Sequence, residues 1–145
     1  MADAAVTYRG TVYPWQCDHM GHMNVMWYVG KFDEASWNFF TEIGVTPDYI
    51  RDAGCGVAAV QQNIAYRREL LPGDTVVVRS RLLELREKVI RFVHEMVTAD
   101  GEQPVASCEL TVVHLDQAKR KAAPFPERIA AQARALLAGG ATGQG

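Results

Sequence analysis

At 145 residues, with nearly half of its side chains hydrophobic, the chain is long enough for one domain with a substantial core. A formal net charge of −2 gives no overall attraction to nucleic acid or to anionic membrane, and no apolar run is long enough to span a bilayer. Cys17, Cys55 and Cys108 are odd in number and widely spaced, so no disulfide framework is implied.

The first residues, Met1-Ala2-Asp3-Ala4-Ala5, have no basic region followed by an apolar core. No secretion signal is therefore expected, and a reducing cytoplasm is the expected location. Residues 6–13 alternate weakly and are rich in Thr, Tyr and Val, which predicts a strand ended by Pro14. A polar loop follows, Trp15-Gln16-Cys17-Asp18-His19-Met20-Gly21-His22-Met23-Asn24. From Val25 the apolar side chains fall at Val25, Val29, Phe32, Phe39, Phe40 and Ile43, the spacing of a helix. Trp27, Tyr28, Ala35 and Trp37 fill much of the remaining circumference, so burial on most sides is expected. Asn24 fits the N-cap, Gly44 the position just past the C-terminus, and Pro47 follows. Gly30, in the helix interior, costs ~1 kcal/mol against Ala and suggests close approach of a neighbouring backbone.

Residues 46–53 form a short helical turn, broken by Gly54 and Gly56. The period then changes to two. Residues 57–66 place Ala58, Val60, Ile64 and Tyr66 on one face. Leu71-Pro72-Gly73-Asp74 is a turn. Thr75–Leu85 and Val89–Thr98 are strands joined by Arg86-Glu87-Lys88, and Asp100-Gly101 turns the chain into a further strand over 105–115. Short turns make the sheet antiparallel. Residues 127–138 form a helix of good formers, and 139–145 are expected as a disordered tail to a single domain over 1–138. The reading is α+β: a strand, a long helix, then about four strands whose curved sheet wraps it. The uncovered sheet edge favours pairing with a second copy.

The chemistry concentrates in the loop. Asp18 sits just before a helix whose first amides point back at it, and such an N-terminus can hold an oxygen that becomes an anion. A carboxylate beside those donors is a base or nucleophile, or else simply a helix cap.

Asp18-x-x-Gly21-His22-x-Asn24, a following Tyr28, and then Asp33-x-Ala35-Ser36-x-Asn38-x-Phe40 resemble the hotdog-fold acyl-CoA thioesterases of the 4-hydroxybenzoyl-CoA thioesterase type. Tyr66-x-x-x-Leu70-x-Pro72-Gly73-Asp74 resembles them too, and the similarity covers roughly residues 6–128. It implies an acyl-CoA substrate, no cofactor or metal, and a homodimer or homotetramer with the thioester at a subunit interface. It also implies Asp18 as nucleophile or general base and the Val25 amide as oxyanion donor, with Gly21, His22 and Asn24 completing the catalytic loop. Many relatives carry a second acid two residues before the Asp. Here that position is Gln16, and the missing like charge leaves Asp18 more fully ionised. In a second branch the carboxylate lies on the central helix, where Asp33 and Glu34 stand, so Glu34 remains an alternative.

His22 orients Asp18 or contacts substrate, or is a loop histidine bonded to backbone; His19 reads as exposed. Cys17, Asp18, His19 and His22 match no common zinc spacing. Cys108 and His94 fall on apolar strand faces and read as core residues. Arg67 and Arg68, then Arg86, Lys88 and Arg91, end strands or flank turns. Each is either a solvated charge or a contact to CoA phosphates. Arg86 and Lys88 rank first, by resemblance, with Arg67 beside them. Trp15, Trp27 and Tyr28 line an acyl pocket or belong to the core. Two other functions stay open: a hotdog enoyl-thioester hydratase, which wants an Asp/His pair, and a non-catalytic acyl-CoA-binding module.

Overall fold

The computed structural model describes residues 4–144, and side-chain surroundings for 4–137. Its strands are β1 (Ala5–Thr11), β2 (Cys55–Tyr66), β3 (Thr75–Leu85), β4 (Val89–Thr98), β5 (Pro104–Asp116) and the short β6 (Lys121–Ala122). They form one antiparallel sheet in the order β1-β3-β4-β5-β2, with β6 pairing on β5. Three helices complete the chain: α1 (Val25–Glu42), α2 (Pro47–Ala53) and α3 (Glu127–Gln144).

The ends of α1 are set by local chemistry. The Asn24 side chain accepts from the Met26 amide at 3.0 Å. At the other end the Val45 amide reaches the Phe40 carbonyl at 2.9 Å and the Gly44 amide reaches Thr41 at 3.1 Å. This paired closure requires the positive φ of 95° that Gly44 adopts. Between the caps Tyr28, Phe32, Ala35 and Phe39 recur every three or four residues and lie buried against the concave sheet face. Phe39 stacks on Phe92 of β4 with centroids 4.8 Å apart, and Phe40 meets the same ring edge-on at 5.5 Å. Alternation along the strands supplies the other wall: Ile90, Phe92 and Met96 of β4, and Ala106, Cys108, Leu110 and Val112 of β5, are all buried. Burial pushes the Cys108 thiol up to about 12, so it is a core residue.

Lys31 and His94 are among the polar groups that enter this core. Lys31 is buried, donating to the Tyr8 hydroxyl at 3.1 Å and the Thr11 carbonyl at 3.2 Å across to β1. His94 is fully buried, with Nε2 2.9 Å from Ser36 Oγ and Nδ1 2.5 Å from Ser80 Oγ. Burial lowers its pKa to about 4, so it is neutral.

The structure corrects four expectations. Helix α1 is not buried on most sides: Met26, Val29 and Trp37 are exposed along one stripe. No backbone approaches Gly30; among the described residues an added Cβ would meet only the Trp27 ring, at 4.0 Å. The even-numbered positions of β2 do not share one buried face: Ile64 packs against the core and Val60 does not. A bulge between Ala59 and Gln61 breaks the register of β2 on β5, and Val60 and Tyr66 are exposed. Finally, the last helix does not end at 138; its backbone continues to Gln144, through the stretch expected as a tail, and Gly145 lies outside the described residues.

Candidate active site

The loop before α1 is a tight reversal. Residues Pro14–Gln16 make one 3₁₀ turn, closed by the Gln16 side chain accepting from the Tyr13 amide at 3.1 Å. Cys17 and Met23 then pair as an antiparallel bridge, so residues 18–22 form its tip. The Asp18 amide donates to the His22 carbonyl at 3.1 Å, and the Gly21 amide donates back to the Asp18 carbonyl at 2.9 Å. Gly21 holds φ at 91°, a conformation that L side chains rarely adopt. The Met23 amide donates to the Leu70 carbonyl at 2.8 Å, which anchors the tip to the segment after β2.

The carboxylate of Asp18 is fixed at both oxygens. Oδ1 accepts from the Met20 amide at 2.9 Å, and Oδ2 accepts from Asn24 Nδ2 at 3.0 Å. The Asn24 bond, then the Met20 amide, hold the Asp18 pKa below the usual carboxylate range, so the group is ionised at neutral pH. The nearby His22 and His19 lower that pKa further, and weakly. Gln16 itself is buried, and its carbonyl accepts from the Asn24 amide at 2.9 Å. Asn24 therefore does two jobs with one side chain: its amide nitrogen orients the carboxylate while its oxygen caps α1. At the first helical position the Val25 amide has no acceptor among the described residues. It is a free donor at the positive end of an eighteen-residue helix.

Other expected residues are placed unevenly. His22 is half-buried, its Nε2 3.3 Å from the Glu69 carboxylate. Tyr28 is buried, donating to the Arg68 carbonyl at 3.0 Å and set edge-on to Tyr66 at 5.1 Å; burial raises its pKa. It braces the site floor and has little surface to offer a ligand. Trp27 is half-buried and Trp15 is exposed, stacked on Tyr13 at 4.5 Å. Arg67 stands on the same flank, bonded to Ser107 Oγ at 3.0 Å. Arg86 and Lys88 do not join them. The β3 strand starts beside the site flank, since the Thr75 end pairs with Thr11, and its far end carries Arg86 after a run of about 33 Å. There Arg86 pairs with Glu84 at 3.5 Å. Arg91 is held by Glu109 at 2.6 Å and Glu84 at 3.0 Å, which raise its pKa further. Glu34 is exposed on α1, nine residues beyond Val25 and about 14 Å along the axis.

Glu69 is the residue the sequence did not flag. Nothing local marks it; only the fold brings it to His22. No group of three metal-competent side chains occurs among the described residues.

The family model that matches this chain is the thioesterase-like superfamily, over residues 12–133. The chain belongs to that superfamily. Its curated relatives include the L-carnitine dehydrogenase/betainyl-CoA thioesterase of Agrobacterium fabrum, 30% identical over 77% of this chain and 23% of the relative. The chain thus spans about a quarter of that bifunctional protein's length. The betainyl-CoA thioesterase of Pseudomonas aeruginosa is 24% identical over 94% of this chain and 86% of that protein. Among solved structures, a thioesterase of Thermus thermophilus complexed with coenzyme A and Zn superposes with a TM-score of 0.79 at 26% identity, covering 94% of this chain and 96% of that one. The curled antiparallel sheet around α1 is the hotdog fold of this superfamily.

Proposed function

We propose that the protein hydrolyses acyl-CoA thioesters to a free acid and CoA. The observation that carries this reading is the coupling made by Asn24: one side chain holds an ionised Asp18 beside the unpartnered Val25 amide. The names of the relatives support it. The thioester carbonyl oxygen accepts from the Val25 amide, and the helix dipole stabilises the charge that develops there. Asp18 attacks the carbonyl carbon, giving an acyl-aspartyl anhydride that water opens, or it takes a proton from a water that attacks instead. In either route the C–S bond breaks, the thiolate leaves and is protonated by solvent. His22 and Glu69 wall the loop, and Arg67 flanks it as a candidate for the CoA phosphates.

The protein works as a homodimer or a pair of dimers. Support comes from the exposed apolar stripe of α1 and the bare β2 edge, which a second copy would cover. Such pairing is also what can bring Arg86 and Lys88 of one protomer toward a partner's loop. A cytoplasmic location fits the free thiols of Cys17 and Cys55, and among the described residues no helix is long and apolar enough to cross a membrane. Betainyl-CoA is the first substrate to try, because relatives act on it by name.

The test is free-thiol release from a panel of acyl-CoAs by wild type and Asp18→Asn. We expect Asp18→Asn to keep fold and oligomer while kcat falls by about 10²–10⁴-fold. Turnover near wild type would remove Asp18 from its role and promote Glu34. Tight acyl-CoA binding without turnover would point to a binding module, and hydration of an enoyl-CoA to the hydratase. Against the hydratase, His22 faces Glu69 and does not bond to Asp18.

A further inference from the structure

A small cleft opens where α1 crosses β2 and β5, with a volume near 70 Å³. Its polar lining is Asp33, Ser36 and Trp37, and its apolar walls include Val57, Leu110 and Val112. Asp33 has no ion-pair or hydrogen-bond partner among the described residues. Trp37 follows it by one helical turn, is 45% exposed and lines the cleft.

The proton inventory beneath the cleft decides what Ser36 offers. Thr7 Oγ1 reaches the Val78 carbonyl at 3.4 Å, Ser80 Oγ lies 2.7 Å from Thr7 Oγ1, and His94 links Ser80 to Ser36. His94 is neutral and carries one ring proton. One arrangement leaves no buried hydroxyl proton without an acceptor among the described residues. In it Thr7 donates to Val78, Ser80 to Thr7, His94 Nδ1–H to Ser80, and Ser36 to His94 Nε2. The only proton of Ser36 is then committed inward, and its oxygen presents lone pairs alone to the cleft.

The cleft therefore offers a carboxylate, a hydroxyl oxygen and the indole π system, all electron-rich, among methyl-bearing walls. We propose that this cleft, formed by Asp33, Ser36 and Trp37, is the subsite for a quaternary ammonium group on the acyl chain, a pocket that selects cationic acyl-CoAs. The apolar walls pack the methyl groups, and the indole ring and the carboxylate balance the charge. This rests on the thioesterase reading above. Asp33 lies eight residues beyond Val25, about 12 Å along α1. A short acyl group cannot bridge that span in one protomer. Two α1 helices paired antiparallel about Gly30, where the helix surface is bare, place residue 25 of one protomer opposite residue 35 of its partner. The cleft of one protomer then serves the thioester held by the other.

The test compares betainyl-CoA with 3,3-dimethylbutyryl-CoA, in which a carbon replaces the quaternary nitrogen without changing shape. Thiol release is measured for wild type, Asp33→Asn and Asp18→Asn, and tetramethylammonium chloride is titrated into each protein by calorimetry, against sodium chloride. We expect wild type to favour the cationic ester in kcat/KM by about 10-fold or more. Asp33→Asn should remove that preference by slowing the cationic ester alone, leaving the neutral one within about two-fold. Equal rates on both esters, or an Asp33→Asn loss shared by both, would overturn the subsite. If neither ester is hydrolysed, the thioesterase reading falls while the calorimetry still decides the cleft. Saturable tetramethylammonium binding that Asp33→Asn abolishes supports it, and absence of saturable binding overturns it.

Discussion

Asn24 joins two tasks that other arrangements keep apart, and its removal should show both. Asn24→Ala leaves the first α1 amides uncapped, at a cost of about 1 kcal/mol in chemical denaturation. It also removes the largest cause of the lowered Asp18 pKa. The sign follows directly. Asp18 acts as the anion, so activity is present above its pKa and is lost as pH falls through it. With the pKa lowered in the wild type, the acid limb of kcat/KM lies below the ordinary carboxylate range. In Asn24→Ala that limb moves to higher pH, and an unmoved limb would mean that Asn24 does not set the charge of Asp18. Much of this residue-scale site was legible in the sequence, because caps, turns and glycine positions are encoded within a few residues. Glu69 and the Arg68 carbonyl were not, since their partners His22 and Tyr28 lie some forty residues or more away.

At the scale of elements, α1 and β4 are joined by a polar chain as well as by rings. Ser36 and Ser80 hold His94 between them, and Phe32 stacks beside it at 5.7 Å. The folded-state pKa of His94, about 4, lies below its unfolded value of 6.5. The unfolded chain therefore binds a proton first, and stability falls as pH drops from 6.5 toward 4. The full loss is about 3 kcal/mol, read as a fall in denaturation midpoint over that range. In His94→Gln this component should vanish, whatever the variant costs at neutral pH. A second element-scale test is Phe92→Ala, which strips the ring shared by Phe39 and Phe40 and should cost about 3–5 kcal/mol. The strand that carries Phe92 was plain in the sequence. The misread face of β2 was not, because a single bulge inverts which side chains face in, and nothing at Ala59 to Gln61 announces it. Lys31 was equally hidden: a lysine reads as surface until a carbonyl and a tyrosine hydroxyl are found waiting across the helix.

At the scale of the whole molecule, several large apolar side chains stay on the surface. Trp15, Met26, Trp37 and Val60 are all exposed, and several flank the candidate site. The sequence anticipated a second copy through an uncovered sheet edge, and from Gly30 only the close approach of a neighbouring backbone. The neighbour expected at Gly30 is missing within the protomer and is supplied, in this account, by the partner. Gly30→Leu should then fold, since the added side chain meets open space in the protomer, yet sediment as a smaller species and lose activity. An unchanged assembly would exclude pairing through that face. The central claim remains that this hotdog domain is an Asp-dependent acyl-CoA thioesterase, and the most direct measurement is thiol release by wild type beside Asp18→Asn on the same esters. Wild type should release thiol steadily, and the variant about 10²-fold or more slowly, with fold and assembly intact. Equal release by the two proteins, or none from wild type, would contradict it.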